Sequence, residues 1–390
     1  MNKKLNPGDL AGLVDAFEAI PEYRKNLLNI HHKLVDIIAI SVCGIIAGAE
    51  GPSDIHDWAE VHQEKLTKIL QLEHGIPSRD TIRRTLEAIK PEAFQKCFLE
   101  WLEAFRENNT SDKEHIAIDG KTLRRSHDKK KHLGALHIVS AWSSEQGISL
   151  GQLATEEKSN EITAIPELLD SIDIEDAVIT IDAMGTQVKI AEKIIEKNAG
   201  YVLAVKENQP KLYQAVVEHF QSIDLTSKKV SHIVEEETSH GRIEHREYFQ
   251  TTIPSDFPEA QRWPGIRTIG MVRRTHRKTG SKKETTETRY YISSERRNGK
   301  EFARYVRKHW GIENSLHWVL DMTFREDENR IRERTLADNI SWIRRFTISL
   351  IKQNLRKGSI VGKRKKAAWS FDFLVELVLG NQEHSKKQAK

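Results

Sequence analysis

The sequence predicts an α/β protein: a mixed sheet flanked by helices, preceded by an all-helical N-terminal region and interrupted by a β-rich insertion. Three observations support this class. The first 110 residues carry apolar side chains at three- and four-residue spacing, punctuated by Pro7, Pro21, Pro52, Pro77 and Pro91. From about Lys113, short β-branched runs alternate with helical segments, as in a sheet covered by helices. From about Lys228 to Ser293, strand-like runs are separated only by polar turns. The 390 residues have room for two or three domains. The divisions expected are 1–110 (helical), 111–210 (first part of the sheet core), 211–295 (β-rich insertion) and 296–380 (helical remainder of the core).

In chain order, helices are expected over Leu10–Ala19, Lys33–Ala49, Ile55–Leu70, Asp80–Ile89 and Pro91–Arg106. Pro91 suits the first turn of a helix, where its missing N–H costs nothing. GIPSRDTIRRTL joins a turn, a cap at Ser78 or Asp80 and a basic helix, like the second half of a helix-turn-helix. Arg79, Arg83 and Arg84 would then reach DNA; the alternative is an ordinary capped helix with these arginines in solvent. HIAID, LGALHIVSAWS, ISLGQLAT, AVITID and GYVLAVK read as strands, with helices over Glu161–Leu169 and Thr186–Asn198. VSHIVEEE, REYFQTTI, RTIGMVRR and TRYYISS form the insertion, with SHGR and KTGSKK as turns. Long helices follow over Gly299–Leu320 and Ile331–Leu355, and the polar SKKQAK tail is expected to fray.

Charge narrows the function class. The net charge is only +4, from 61 basic and 57 acidic residues, but the distribution is uneven. Arg296 to Lys366 holds 19 Lys/Arg against 8 Asp/Glu, a balance of +11, whereas Ser143 to Asp176 holds 9 acids against Lys158 alone. A basic C-terminal third is the footprint of a phosphate-backbone binder, although a solvated helical surface gives the same count. Cys43 and Cys97 show neither metal-ligand spacing nor a disulfide framework, which fits a reducing cytoplasm. The start lacks the apolar centre of a signal peptide. The longest uncharged stretch, Ile37 to Ala49, has 13 residues where a membrane span needs about 20. A buried core helix and no membrane partner are expected.

Three acids carry the chemistry. Asp119 ends HIAID, Asp182 ends VITID, and Glu313 lies in the helix-like HWGIENSLHW. Carboxylates delivered at C-terminal strand ends sit where open α/β sheets place their sites. With a third from a helix they suit divalent ions about 3.5–4 Å apart, which clamp the attacking and leaving oxygens of phosphoryl transfer. Each acid alone reads more simply as a turn former, a helix cap or a solvent-facing side chain. Paired carboxylates also serve glycosidases, but the third acid and the basic C-terminal region disfavour that class.

IAIDGKTLRRS, TIDAMGTQ, YVLAVKENQP and HWGIENSLHWVLDMTFREDENRIR together resemble the DDE transposases of bacterial insertion sequences, in particular the H-repeat-associated group. HGIPSRDTIRR and CFLEWL extend the resemblance to the N-terminal region. It implies a ribonuclease-H-like core with an insertion before the last carboxylate, and Asp119, Asp182 and Glu313 as the catalytic, metal-holding triad, spaced by 63 and 131 positions. It implies Mg²⁺, with Mn²⁺ as substitute, as two ions. Asp119 would bridge them while Asp182 and Glu313 each complete one site. Water would cut DNA at the element's end and the freed 3′ hydroxyl would attack target DNA. The implied partners are double-stranded DNA and a second copy of the chain in a synaptic dimer. The wider superfamily's Tyr, Arg and Lys around the glutamate are here Val306, His309 and Leu320, so the roles of those positions do not transfer.

The supporting positions read as follows. Lys121 and Arg124 would hold a phosphate near the metals, and Gly120 would let the chain turn beside them. Lys206, Asn208 and Gln209 would touch the DNA backbone or a flipped base, or else cap their loop. Arg307 and Lys308 would take over displaced phosphate contacts. His309 and His317, at i−4 and i+4 from Glu313, would share its face and orient it or touch phosphate. A zinc site is disfavoured because structural zinc takes a fuller Cys/His set. Trp310 and Trp318 are expected in the core rather than stacked on a base. His240, Gly241 and Arg242 form a turn of the insertion facing DNA. Asp321, Glu326, Asp327 and Glu328 are expected to pair with Arg325, Arg330 and Arg332. Two rival functions remain, a silent DNA-binding relic and a nuclease that cuts without joining.

Overall fold

The computed structural model describes residues 17–25, 30–70, 72–103, 113–128, 130–155, 161–239, 241–280 and 283–379. The start of the Leu10–Ala19 helix, His240 and the SKKQAK tail lie outside them. The N-terminal helices are α1 (Leu34–Ala47), α2 (Pro52–Val61), α3 (Gln63–Ile69), α4 (Arg79–Ala88) and α5 (Pro91–Glu103). The uncharged stretch is indeed a core helix, since α1 is buried from Leu34 to Ile46. Among the described residues no single helix is long and apolar enough to cross a membrane. Ser78 is the N-cap of α4, its side chain accepting from the Thr81 N–H at 3.2 Å. Leu70 to Ser78 separate α3 from α4, far more than the three or four residues of a helix-turn-helix turn. The helix-turn-helix reading is therefore not supported.

The sheet begins with β1 (His115–Thr122), β2 (His137–Ser143) and β3 (Ile148–Thr155), then β4 (Val178–Ile181) and β5 (Gly200–Val205). Helices α6 (Glu161–Ser171) and α7 (Val188–Glu196) connect the later strands. β1 runs antiparallel to β2 and parallel to β4, and β4 runs parallel to β5. The order β3-β2-β1-β4-β5 with these directions is the ribonuclease-H-like arrangement. Both β2 and β4 are buried along their whole length, as strands covered on both faces must be.

After α8 (Pro210–Ser222), the insertion does not stand apart. Its strands β6 (Val230–Ser239), β7 (Arg242–Thr252), β8 (Thr268–Lys278) and β9 (Glu284–Ser293) continue the same sheet. β9 joins β5 antiparallel, Val202 opposite Ser293 and Val205 opposite Tyr290, making nine strands in the order β3-β2-β1-β4-β5-β9-β8-β7-β6. The β6–β7 hairpin closes between Ser239 and Arg242 with Gly241 at φ +71°, a conformation that side chains with a Cβ rarely adopt.

Helix α9 (Gly299–Ile312) crosses β1, β4 and β5, then passes into a π-helical segment, Glu313–His317, and into α10 (Trp318–Met322). A 3₁₀ turn, Glu326–Glu328, leads to α11 (Arg334–Gln353), followed by α12 (Ile360–Trp369) and α13 (Phe371–Leu379). Helices α9 and α11 cover the sheet face bearing His115, Asp119 and Lys121, while α6 covers the opposite face. The N-terminal helices share this core: Phe98 stacks on Trp342 of α11 at 6.1 Å and lies 3.9 Å from the Phe346 ring. Aromatic contacts of this kind add about 0.5–1.5 kcal/mol beyond burial.

Candidate active site

Asp119, inside β1 rather than at its end as expected, because pairing with β2 continues to Thr122, lines one cleft of about 290 Å³ with Asp182 just past β4 and Glu313 where α9 becomes π-helical. Parallel pairing of β1 with β4, Ile118 opposite Ile181, brings the two aspartates level with each other on neighbouring central strands. Helix α9 packs across both strands and carries Glu313 to them. Backbone amides fix the aspartates, Gly120 N–H donating to Asp119 Oδ1 at 2.9 Å and Gly185 N–H to Asp182 Oδ1 at 3.1 Å.

The π segment decides where His317 goes. A π turn bonds i to i+5 and occurs often at functional sites; here the Trp318 N–H reaches the Glu313 carbonyl. The α-helical count from Glu313 therefore does not hold for His317, whereas His309, in regular α9, keeps its i−4 relation and lines the cleft with Glu313. His317 Nδ1 lies 3.4 Å from Asp119 Oδ2, and His309 Nδ1 lies 3.0 Å from Thr180 Oγ1. Burial raises the Asp119 pKa, but the hydrogen bond and charge of His317, with His309 beyond, outweigh it and leave it lowered. Glu313 goes the other way, raised by burial and then by the Asp119 charge. The three side chains offer an all-oxygen donor set, which fits hard divalent cations. The three carboxylates do not all come within 4.8 Å of one another; among the described residues only His56, Asp57 and Glu60 on α2 offer such a group.

Several supporting positions are occupied otherwise than the sequence suggested. Lys121 is buried and held by Asp321 at 2.7 Å, Asp327 at 2.7 Å and Glu326 at 3.6 Å, so it is not free for phosphate. Burial lowers its pKa, but the three acids outweigh this and raise it. Arg124 pairs with Asp327 at 3.0 Å yet remains exposed. Glu326, fully buried, also meets Arg345 at 3.2 Å and Arg344 at 3.9 Å. The acids expected to pair with Arg330 and Arg332 instead gather around Lys121, Arg344 and Arg345; only Arg325 pairs as expected, with Glu328. Part of the basic C-terminal third is therefore interior structure: Arg344, Arg345 and Lys363 are buried.

Asn208 donates to the Ala183 carbonyl at 2.6 Å, and Gln209 donates to Thr186 O at 3.0 Å and Gln187 Oε1 at 3.1 Å. Both are loop clasps that shape the rim behind Asp182, whereas Lys206 lines the cleft. Arg307 pairs with Glu237 at 2.8 Å and Lys308 with Glu145 at 2.5 Å. Arg83 is held by Glu87 at 2.8 Å, while Arg79 and Arg84 are exposed on α4. Gly120 lies within β1 and makes no sharp turn. A Cβ there would stand 2.3 Å from both Glu161 Oε1 and His137 Nε2.

Trp310 and Trp318, expected in the core, are 36% and 56% exposed, and the Arg289 guanidinium lies 4.6 Å over the Trp310 ring. Sequence reasoning missed Arg289 altogether. It comes from β9 and lines the cleft with Glu313, and only the pairing of β9 with β5 brings it there. No local signal in TRYYISS reveals that pairing.

Comparison with known proteins gives the family. Residues 110–350 match the family described as Transposase DDE domain, and residues 14–102 match the region described as DDE_Tnp_1-associated. YncI of Escherichia coli O157:H7, which carries a transposase name, is 42% identical over 377 residues, covering 96% of each chain. The H repeat-associated YhhI of Escherichia coli strain K12, likewise named as a transposase, is 38% identical over 96% of this chain and 99% of its own. A piggyBac transposase synaptic complex with hairpin DNA aligns over 99% of this chain and 83% of its own at 12% identity and a TM-score of 0.41, too remote a likeness to bear on mechanism. The chain belongs to the DDE transposase family, within its H-repeat-associated group.

Proposed function

We propose that this chain cleaves DNA strands at the ends of an insertion sequence and transfers them into target DNA, with Asp119, Asp182 and Glu313 as its catalytic carboxylates. One observation carries the reading: acids from two parallel strands and a crossing helix line a single cleft with no lysine or arginine bonded to any of them among the described residues. Divalent ions, Mg²⁺ or Mn²⁺, held there would activate the attacking oxygen and stabilise the leaving one.

The chain's own residues set the geometry. Gly120 N–H and His317 hold the two oxygens of Asp119, so its rotamer is fixed before DNA arrives. Arg289 and Lys206 on the cleft wall supply positive charge where a phosphodiester would lie. Exposed Trp318 on α10 offers a face for an unpaired base. On the same reading, residues 1–110 add DNA contacts through Arg79 and Arg84, and exposed Arg330, Arg332, Lys365 and Lys366 contact phosphate without regard to sequence. Double-stranded DNA is the substrate, and a homodimer would hold two ends. Incubation of the protein with labelled element ends and Mg²⁺ tests this. Joined products support the proposal; cleavage alone would indicate a nuclease, and binding without chemistry a silent relic.

A further inference from the structure

A buried hydrogen-bonded chain joins the three elements that bear the carboxylates. His115 lies on β1 four residues before Asp119, Thr180 on β4 two before Asp182, and His309 on α9 four before Glu313. His309 Nδ1 is 3.0 Å from Thr180 Oγ1, which is 2.8 Å from His115 Nε2. His115 Nδ1 is 2.9 Å from Ser144 Oγ, which donates to the Lys308 carbonyl at 3.4 Å. His115 is 0% exposed and Thr180 2%. Apolar side chains would fill this space without any need for partners, so three interlocked polar ones need a reason beyond packing.

The end of the chain fixes its proton order. A carbonyl only accepts, so Ser144 spends its proton on Lys308 and its oxygen accepts from His115 Nδ1–H. Burial lowers both histidine pKa values, His115 strongly, so each ring is neutral with one N–H and one lone pair. His115 Nε2 is then bare and accepts from the Thr180 hydroxyl, whose oxygen accepts from His309 Nδ1–H. His309 lines the cleft, and its second nitrogen, Nε2, is left without a proton.

We propose that His115, Thr180 and His309 form a positioning relay that holds β1, β4 and α9 in the register their carboxylates need, and presents His309 with Nδ1 protonated and Nε2 bare. The proposal rests on the reading of Asp119, Asp182 and Glu313 as the ion-holding site. The relay touches none of the reacting atoms through His115 or Thr180; it acts by placing those that do. Its bare Nε2 is an acceptor for an O–H group entering the cleft.

Mn²⁺ binding to the full-length protein, followed by electron paramagnetic resonance, tests the positioning role without any turnover. Thr180→Val keeps the volume but strips both histidines of their shared partner, and Thr180→Ser restores it. Thr180→Val should weaken Mn²⁺ binding about 10-fold, the low end of the loss seen for a partner bonded directly to a ligand, since Thr180 acts one group further back. Thr180→Ser should recover most of that affinity, with melting temperatures recorded for both variants. Mn²⁺ affinity in Thr180→Val equal to wild type, whatever its melting temperature, overturns the positioning role. Asp119→Ala separates the two levels: if it binds Mn²⁺ as the wild type does, the ion-site reading fails and takes the positioning role with it. Histidine ¹⁵N NMR on the metal-free protein decides the proton order independently. A His309 resonance of the Nδ1–H tautomer, altered in Thr180→Val, is expected; the Nε2–H tautomer overturns it.

Discussion

Replacing Gly120 by alanine should destabilise the protein although the change adds one methyl group in a strand. The added Cβ would stand 2.3 Å from Glu161 Oε1, 2.3 Å from His137 Nε2 and 2.8 Å from Glu161 Cδ, where carbon contacts are comfortable at about 3.5–4.0 Å. Neither neighbour can swing into water, because the His137 and Glu161 side chains are 2% and 7% exposed and lie 2.5 Å apart as a pair. His137 is further tied through Nδ1 to Thr122 Oγ1 at 2.9 Å. The methyl must therefore part the pair. Overpacking costs about 1–3 kcal/mol, and a buried polar group parted from its neighbour about 1–3 kcal/mol. These overlap because one displacement causes both. Alanine recovers about 0.5–1 kcal/mol of backbone entropy, leaving a net loss of about 2–4 kcal/mol. Melting by circular dichroism should fall by about 5–10 °C, given about 2–4 °C per kcal/mol in chains of this order of size. The double variant with Glu161→Ala should show a coupling of at least about 1 kcal/mol. A Gly120→Ala protein melting at or above wild type would refute the reasoning, since it would mean the strand had room for the methyl.

Further outcomes follow from the same contacts. Glu326→Gln should destabilise by about 3–5 kcal/mol in urea titrations, because Arg344, Arg345 and Lys121 are left facing an uncharged group. Burial raises the Glu326 pKa, but Arg345, Lys121 and Arg344 outweigh it and hold it at about 2, against an ordinary 4.5. Its contribution, about 3 kcal/mol, is therefore complete above pH 4.5 and lost as pH falls toward about 2, a loss that acid titration of Glu326→Gln should lack. Glu313, raised by burial and by Asp119, must release its proton to bind an ion. Mn²⁺ affinity should accordingly go on rising with pH above the ordinary glutamate range, and less so in Glu313→Gln. Trp318→Ala, at a site 56% exposed, should leave the melting temperature nearly unchanged while weakening DNA binding by about 1–3 kcal/mol, as measured by fluorescence anisotropy.

Periodicity alone located most strands and the two aspartates, because a β-branched run ending in Asp is a local signal. HIAID and VITID became β1 and β4 with the expected burial. The surroundings of the site were not legible, because they depend on pairing across long stretches of chain. Nothing within TRYYISS shows that β9 would lie against β5 and bring Arg289 to Glu313. A helical wheel through Glu313 misplaces His317, since the π segment is set by tertiary packing and aims that ring at Asp119. Charge counting overstated the DNA-facing surface, because it cannot see that Arg344 and Arg345 are buried on Glu326. Gly120 looked like a turn residue and is instead a close-approach position beneath the His137–Glu161 pair.

The central claim is that Asp119, Asp182 and Glu313 act together in one metal-dependent site. Its most direct test is strand cleavage and joining of DNA bearing the element's ends, in Mg²⁺ or Mn²⁺, with wild type beside Asp119→Ala, Asp182→Ala and Glu313→Ala. Metal-dependent joined products are expected from the wild type and should be lost in all three variants while DNA binding persists. Joined products from any one of the three variants at the wild-type rate would contradict it.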